Sequence, residues 1–309
     1  MSLQDGSARL LGAPMSGRSY GILLASIATV MWSSAGLFVR LLDLDTWTTL
    51  GWRSLFGGLT LLVISLHQNG RQASAAKPIS IRLYIFAGVI AALSMYGYIA
   101  AIKLTTVANV LAIYATTPFI CAAIAYFWLR EMPDRRVMIA SGIALVGVLI
   151  VVGFAARLDD IAGNGMALLM TVAFAYLLVL ARRHPALKLA PVNAIGTWLC
   201  VLLSLPLMSH QIPSPSELAI LAVFGSTTSG LAYLLFMTGS RYIQAAEAGL
   251  IGLTDIVLGP LWVYLAFGEN PGVPTVFGGA LILFSVLWYM WGRLRAAQAT
   301  ARRKIPTTV

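Results

Sequence analysis

Ten apolar runs, each about as long as a bilayer core is thick, constrain this chain more than any other feature. They fall at 20–41, 46–66, 82–102, 107–129, 136–154, 163–181, 191–209, 217–239, 245–267 and 274–291. A hydrocarbon core of about 30 Å takes roughly 20 helical residues at about 1.5 Å each. Strand-like alternation is absent, and a helix satisfies its own backbone where water is missing, so the runs predict helices rather than a barrel. Connections are mostly about four to ten residues long and leave no room for a soluble catalytic domain. Composition agrees: 10% of residues are charged, against about 25% in a soluble domain. The chain reads as an all-α integral membrane protein whose solvent is the lipid bilayer.

The first 19 residues form a polar tail, and 292–309 a basic one. The first apolar run is too long for a signal peptide and carries Trp32, so it reads as a retained helix. A formal charge of +10 raises the question of nucleic acid. Placement answers it. Seventeen of the 21 Lys and Arg lie on segments that share a side with the N-terminus, three lie opposite, and Arg53 lies within a run. That is the positive-inside bias of a protein with both termini in the cytoplasm. No nucleic-acid partner is implied. Cys121 and Cys200 lie in apolar runs without ligand-spaced neighbours, so no metal or cofactor is expected.

The chain is also written twice. At an offset of 138, "FWLREMP" (127–133) faces "LAFGENP" (265–271), pairing Glu131 with Glu269 and Pro133 with Pro271. With a small gap, "GILLASIATVMWSSAGLFVR" faces "GMALLMTVAFAYLLVLARRH", which pairs Trp32 with Tyr176. The units are 20–154 and 163–291, five runs each. Five is odd, so the second unit enters the membrane from the other side, which makes a five-plus-five inverted repeat. Secondary transporters are commonly built this way, with sites near the midplane between repeats.

The segments "VMWSSAGLFVR", "ANVLAIYATTPFICAAIAYFWLREMP", "IASGIALVGVLIVVG" and "AAEAGLIGLTDIVLGPLWVYLAFGENP" resemble the drug/metabolite transporter superfamily, specifically its EamA-like members. The resemblance covers residues 20 to 292. It implies export of amino acids, purines or toxic cations from the bacterial cytoplasm across the inner membrane. More distant members carry nucleotide sugars or sugar phosphates. Among the EamA-like members, the resemblance leans toward the aromatic amino-acid exporters of the YddG type, without a diagnostic motif for them.

Polar residues deep in the runs are the candidates for a site. Arg53 is about seven residues into the second run and Asp255 about ten into the ninth. Unpaired at the midplane, each costs about 2.5–3.5 kcal/mol or more, so each faces a partner or a wet cavity. One reading gives a substrate or proton site, with Asp255 titrating and Arg53 holding a carboxylate. The other gives a structural ion pair between the second and ninth helices. Glu247, in the first turn of the ninth helix, reads as a solvated residue favoured by the helix dipole. Asn109 is placed to line the cavity from the other mouth.

Ser226, Ser229 and Tyr233 recur at three- and four-residue steps on one face of the eighth helix. With Trp32, Tyr96, Tyr114, Thr117 and Tyr176 they make a candidate cavity lining for a flat, partly apolar solute; core packing would also explain the aromatics. Pro118 and Gly259-Pro260 are expected to interrupt the fourth and ninth helices, freeing the carbonyls of Tyr114 and Ile256. Simple helix curvature is the alternative. Small residues in "IASGIALVG" and "VFGGALIL" predict close packing of the fifth and tenth helices. Glu131 and Glu269 with their prolines read as helix punctuation.

A transporter of a small organic solute, with protons as a possible coupling ion, is the reading these features favour. The rivals are an intramembrane enzyme, for which no H-E-x-x-H or G-x-S-x-G motif exists, and a channel.

Overall fold

The computed structural model describes residues 17–71, 79–152, 160–209, 212–268 and 272–303. Glu269 and Pro271, singled out above, lie outside them. Among the described residues the structure is all helical, and ten helices are long and apolar enough to cross a membrane.

Six spans are single α-helices: α2 (Thr46–Arg71), α3 (Ile81–Leu104), α5 (Arg135–Val152), α6 (Ile161–Arg183), α7 (Leu189–Ser204) and α10 (Val273–Arg303). One 3-10 turn, Leu205–Leu207, extends α7. The other four are broken. The first span comprises α1a (Gly17–Ser33) and α1b (Ala35–Arg40). The fourth comprises α4a (Val107–Tyr114) and α4b (Thr117–Leu129), and the ninth α9a (Ala245–Gly252) and α9b (Asp255–Phe267). The eighth runs from α8a (Pro215–Phe224) through a π segment (Gly225–Ala232) to α8b (Tyr233–Gly239).

The breaks of the first, fourth and ninth spans share a local feature. Hydroxyls of Ser33, Ser34, Thr116 and Thr254 each donate to the carbonyl three residues back, at 2.5–2.7 Å. A carbonyl so occupied no longer needs the amide of the next turn, so the helix can stop and restart inside an apolar medium. The fourth and ninth spans break at the same register: 107–114 and 117–129 become 245–252 and 255–267 on adding 138. Both then end on a left-handed residue, Arg130 (φ 57°) and Gly268 (φ 69°).

This places the interruption of the ninth span at Leu253–Thr254 rather than at Gly259-Pro260, which lie within α9b. A proline removes one amide donor, but the helix winds past it when the carbonyls around it are otherwise supported. Pro118 does stand at a break, at the start of α4b where its missing N–H costs nothing.

Helix ends alternate between two sides. The side that carries Gly17 is called the near end, and the opposite side the far end. The apolar core is built chiefly by α4b, α5, α6, α8b, α9a and α10, with α1a and α3 adding small residues. Helices α5 and α10 pack together at its edge. A Cβ added to Gly147 would lie 2.7 Å from the carbonyl of Gly278, and one on Gly278 2.4 Å from that of Gly147. Only glycine permits such an approach, and in lipid close packing of this kind holds helices together.

Candidate substrate cavity

Arg53 is positioned by a close crossing of α2 and the π segment. Gly57 faces Ser229, where a Cβ would lie 2.6 Å from the serine Cβ. Gly225 rests on the backbone carbonyl of Arg53. Pressed together in this way, Arg53 Nε donates to Ser229 Oγ at 2.8 Å, and its Cζ lies 4.8 Å from the centre of the Phe224 ring. That cation–π contact helps offset the loss of water around the guanidinium. Among the described residues no acceptor engages its terminal nitrogens, which leaves the planar fork available for a carboxylate.

Asp255 is the first residue of α9b, directly after the break. The amides of that helix start favour a negative charge there. No described residue hydrogen-bonds its carboxylate or forms an ion pair with it. The ion pair considered between the second and ninth helices is therefore not formed, and both charges are left unneutralised and half-buried.

Tyr98 on α3 lies within electrostatic reach of both Arg53 and Asp255. It is 41% exposed. Tyr114 ends α4a within reach of Asp255 and Tyr98. Its hydroxyl would touch a Cβ on Gly252, at 3.1 Å. Beside these polar groups stands an aromatic cluster. Trp32 contacts Phe236 (4.8 Å between centroids), Tyr233 (5.9 Å) and Phe174 (6.0 Å), and Tyr114 reaches Phe174 at 6.3 Å. Trp32 Nε1 donates to the carbonyl of Thr228 in the π segment at 2.9 Å. The buried hydroxyl of Tyr233 has no described partner.

Arg53, Asp255, Tyr114, Ser229, Trp32 and Tyr233 thus come together. Other sequence candidates stand elsewhere. Tyr96 packs on Trp47 (5.7 Å), whose ring carries Lys103 Nζ at 4.8 Å. Tyr176 stacks on Trp128 (5.1 Å) and meets Phe86 edge-on. Thr117 is fully buried and donates to the carbonyl of Tyr114, within its own span. Asn109 is 5% exposed and donates to Thr105 Oγ1 (2.7 Å) and Asn164 Oδ1 (2.8 Å) at the far end. Ser226 accepts from Thr60 at 2.9 Å. The sequence reading missed Tyr98, Phe174 and Phe236 as members of the group. Neighbours two apart on a helix point some 200° apart, so Tyr98 turns inward where Tyr96 does not, and Phe174 where Tyr176 does not. Glu247 is also not solvated. It is fully buried and accepts from Arg18 at 2.6 Å.

The chain matches the EamA-like transporter family twice, over residues 19–153 and 161–291. It is 24% identical over 273 residues to a protein of Archaeoglobus fulgidus described as an uncharacterized transporter, covering 87% of this chain and 95% of that one. A crystal structure at 18% identity superposes with a TM-score of 0.73, covering 86% of this chain and 96% of that one, a likeness of fold. With both halves matched, the chain belongs to the EamA-like transporter family.

Proposed function

We propose that the protein exports a zwitterionic amino acid with an aromatic or apolar side chain from the bacterial cytoplasm across the inner membrane, by alternating access. The observation that carries this is the pair of unneutralised charges, Arg53 and Asp255, each within electrostatic reach of Tyr98, with the Trp32 cluster alongside. A carboxylate suits the free fork of Arg53, an ammonium suits Asp255, and an aromatic or aliphatic side chain suits the ring faces. A purely cationic solute is disfavoured by Arg53, and a purely anionic one by Asp255.

The inverted repeat is part of the same reading. It is supported by the matched breaks of α4 and α9 and by two family matches with five spans each. The positive-inside count supports a cytoplasmic position for both termini, and with them for the near end. Asp255 is also the group best placed to carry a coupling proton. One charge crossing a 100 mV potential supplies about 2.3 kcal/mol.

The test is flux in proteoliposomes of the full chain, with a panel of amino acids, purines and cationic dyes. Saturable, trans-stimulated flux of an aromatic or apolar amino acid is expected. Flux confined to purines or cations sinks the substrate reading, and unsaturable conductance sinks the carrier reading. Asp255→Asn is expected to abolish pH dependence; full retention ends the proton role.

A further inference from the structure

The near end is shut by α9a. All eight of its residues are buried, and it packs on α1a, α4b, α5 and α6, so it bridges both halves of the chain. Its repeat counterpart α4a packs chiefly on α3, α5 and α6 and leaves most of its described residues half-buried. At the far end α4a makes no comparable contact with α1a or α9b among the described residues. There the halves meet instead through α9b on α1a and α1b, Trp262 Nε1 donating to Ser33 Oγ at 2.8 Å, and through Phe38 stacked on Phe224. Tyr98 and Arg53 lie toward this end, about six residues from the far end of α3 and seven from that of α2.

What holds α9a down converges on residues 243–249. Arg182, in the last turn of α6, donates to Glu131 Oε1 at 2.6 Å and also to the carbonyl of Ile243. One guanidinium thereby ties the residue just past α4b to the residue just before α9a. Gln244 Oε1 accepts from the backbone of Asp134 at 3.4 Å. Below these, a Cβ on Gly249 would lie 3.2 Å from Pro118 Cα, so α9a and α4b meet nearly backbone to backbone. The Arg18–Glu247 pair, extended by Tyr289 at 3.1 Å, anchors α9a to α1a and α10. The breaks at 115–116 and 253–254 let α9a swing without dragging α9b, and α4b without α4a.

We infer that Arg182 is the latch of the gate at this end, gripping Glu131 and Ile243 together, and that releasing it opens the cavity toward the near end while the far end closes. Arg182 suits that role because its side chain is 19% exposed and that of Glu131 33%, so water can compete for the pair during each cycle. Glu131, at first sight punctuation, becomes one jaw of the gate. The inference rests on the transporter reading but concerns access, and access can be measured without a known substrate.

The test uses two reporters in the full chain, with Cys121→Ala and Cys200→Ala as background, in nanodiscs open on both sides. Ala125→Cys reports on the cleft between α4b and α9a, which Gln244 and Ala245 also line. Tyr98→Cys reports on the cavity. Reaction with a charged maleimide is timed for each. Arg182→Gln is expected to speed labelling at 125 on the order of tenfold, the factor that 1.4 kcal/mol makes in an equilibrium, and to slow it at 98. Glu131→Gln should move both less, since the Ile243 carbonyl keeps its donor. Arg182→Lys should restore part of the wild-type pattern. Faster labelling at both positions would mean mere loosening, and unchanged rates would mean no latch. Either overturns the inference. If rates move in opposite senses while the unmutated chain transports nothing in the solute panel, the latch stands and the substrate reading falls.

Discussion

Helices α4 and α9 share their bounds, their break after eight residues, a threonine hydroxyl closing that break and a left-handed C-cap. Their surroundings are opposed. The α4a piece is half-covered while α9a is entirely buried; α4b has five buried residues while α9b has only Ile256. At the first residue after the break, α4b carries Thr117, whose hydroxyl is taken by its own span, and α9b carries Asp255, with no partner. The two halves keep the same backbone geometry together with the same hydroxyl and the same cap. Charge does not have to survive, because one midplane carboxylate is enough for a site and a second would only add cost.

Exchanging the residues at that position should break the comparison most severely. Asp255→Thr, which copies α4b, is expected to lower flux at least about 100-fold. Thermal unfolding in detergent should be unchanged or shifted upward, because an unneutralised charge that costs about 2.5–3.5 kcal/mol is gone. A loss of stability instead would mean that Asp255 has a structural partner. The reverse change, Thr117→Asp, buries a charge with no cation nearby and should destabilise by about 3 kcal/mol or more, read as a fall in midpoint temperature.

Arg53 sharpens the contrast from the facing side. Arg53→Lys keeps the charge but loses the fork, so the apparent affinity for an amino acid should weaken by roughly 10-fold, with maximal rate affected less. Equal loss for substrates that lack a carboxylate would break its assignment. Smaller still are the two caps. Gly268→Ala forces a side chain into positive φ and should cost about 1 kcal/mol, whereas Arg130→Gly should gain about 0.5–1 kcal/mol. Unfolding midpoints of opposite sign would confirm that both halves stop their helices in the same way.

The ten spans were legible because bilayer thickness imposes a length that few other environments demand. The repeat register was legible through Glu131 and Pro133, since the same offset predicts the breaks. The location of those breaks was not. Gly259-Pro260 drew attention because proline lacks a donor, but the deciding groups were the hydroxyls of Thr116 and Thr254, common residues whose role depends on which carbonyl they find. Depth along a helix could be read for Tyr96 and Tyr176, but the face they turn could not, since neighbouring helices decide which side is inside. The Arg182–Glu131 and Arg18–Glu247 pairs join residues 51 and 229 positions apart. Nothing local in the chain announces them.

The meeting of Gly147 with Gly278 has a mechanical consequence. Interlocked side chains act like gear teeth: turning one helix against another means lifting every tooth out of its socket. Where Gly147 and Gly278 meet the backbones touch, but Val151 and Ile282 stand beside the point of touch as teeth set into the glycine notches. The seam between α5 and α10 is therefore a keyed joint, which resists rotation as well as separation.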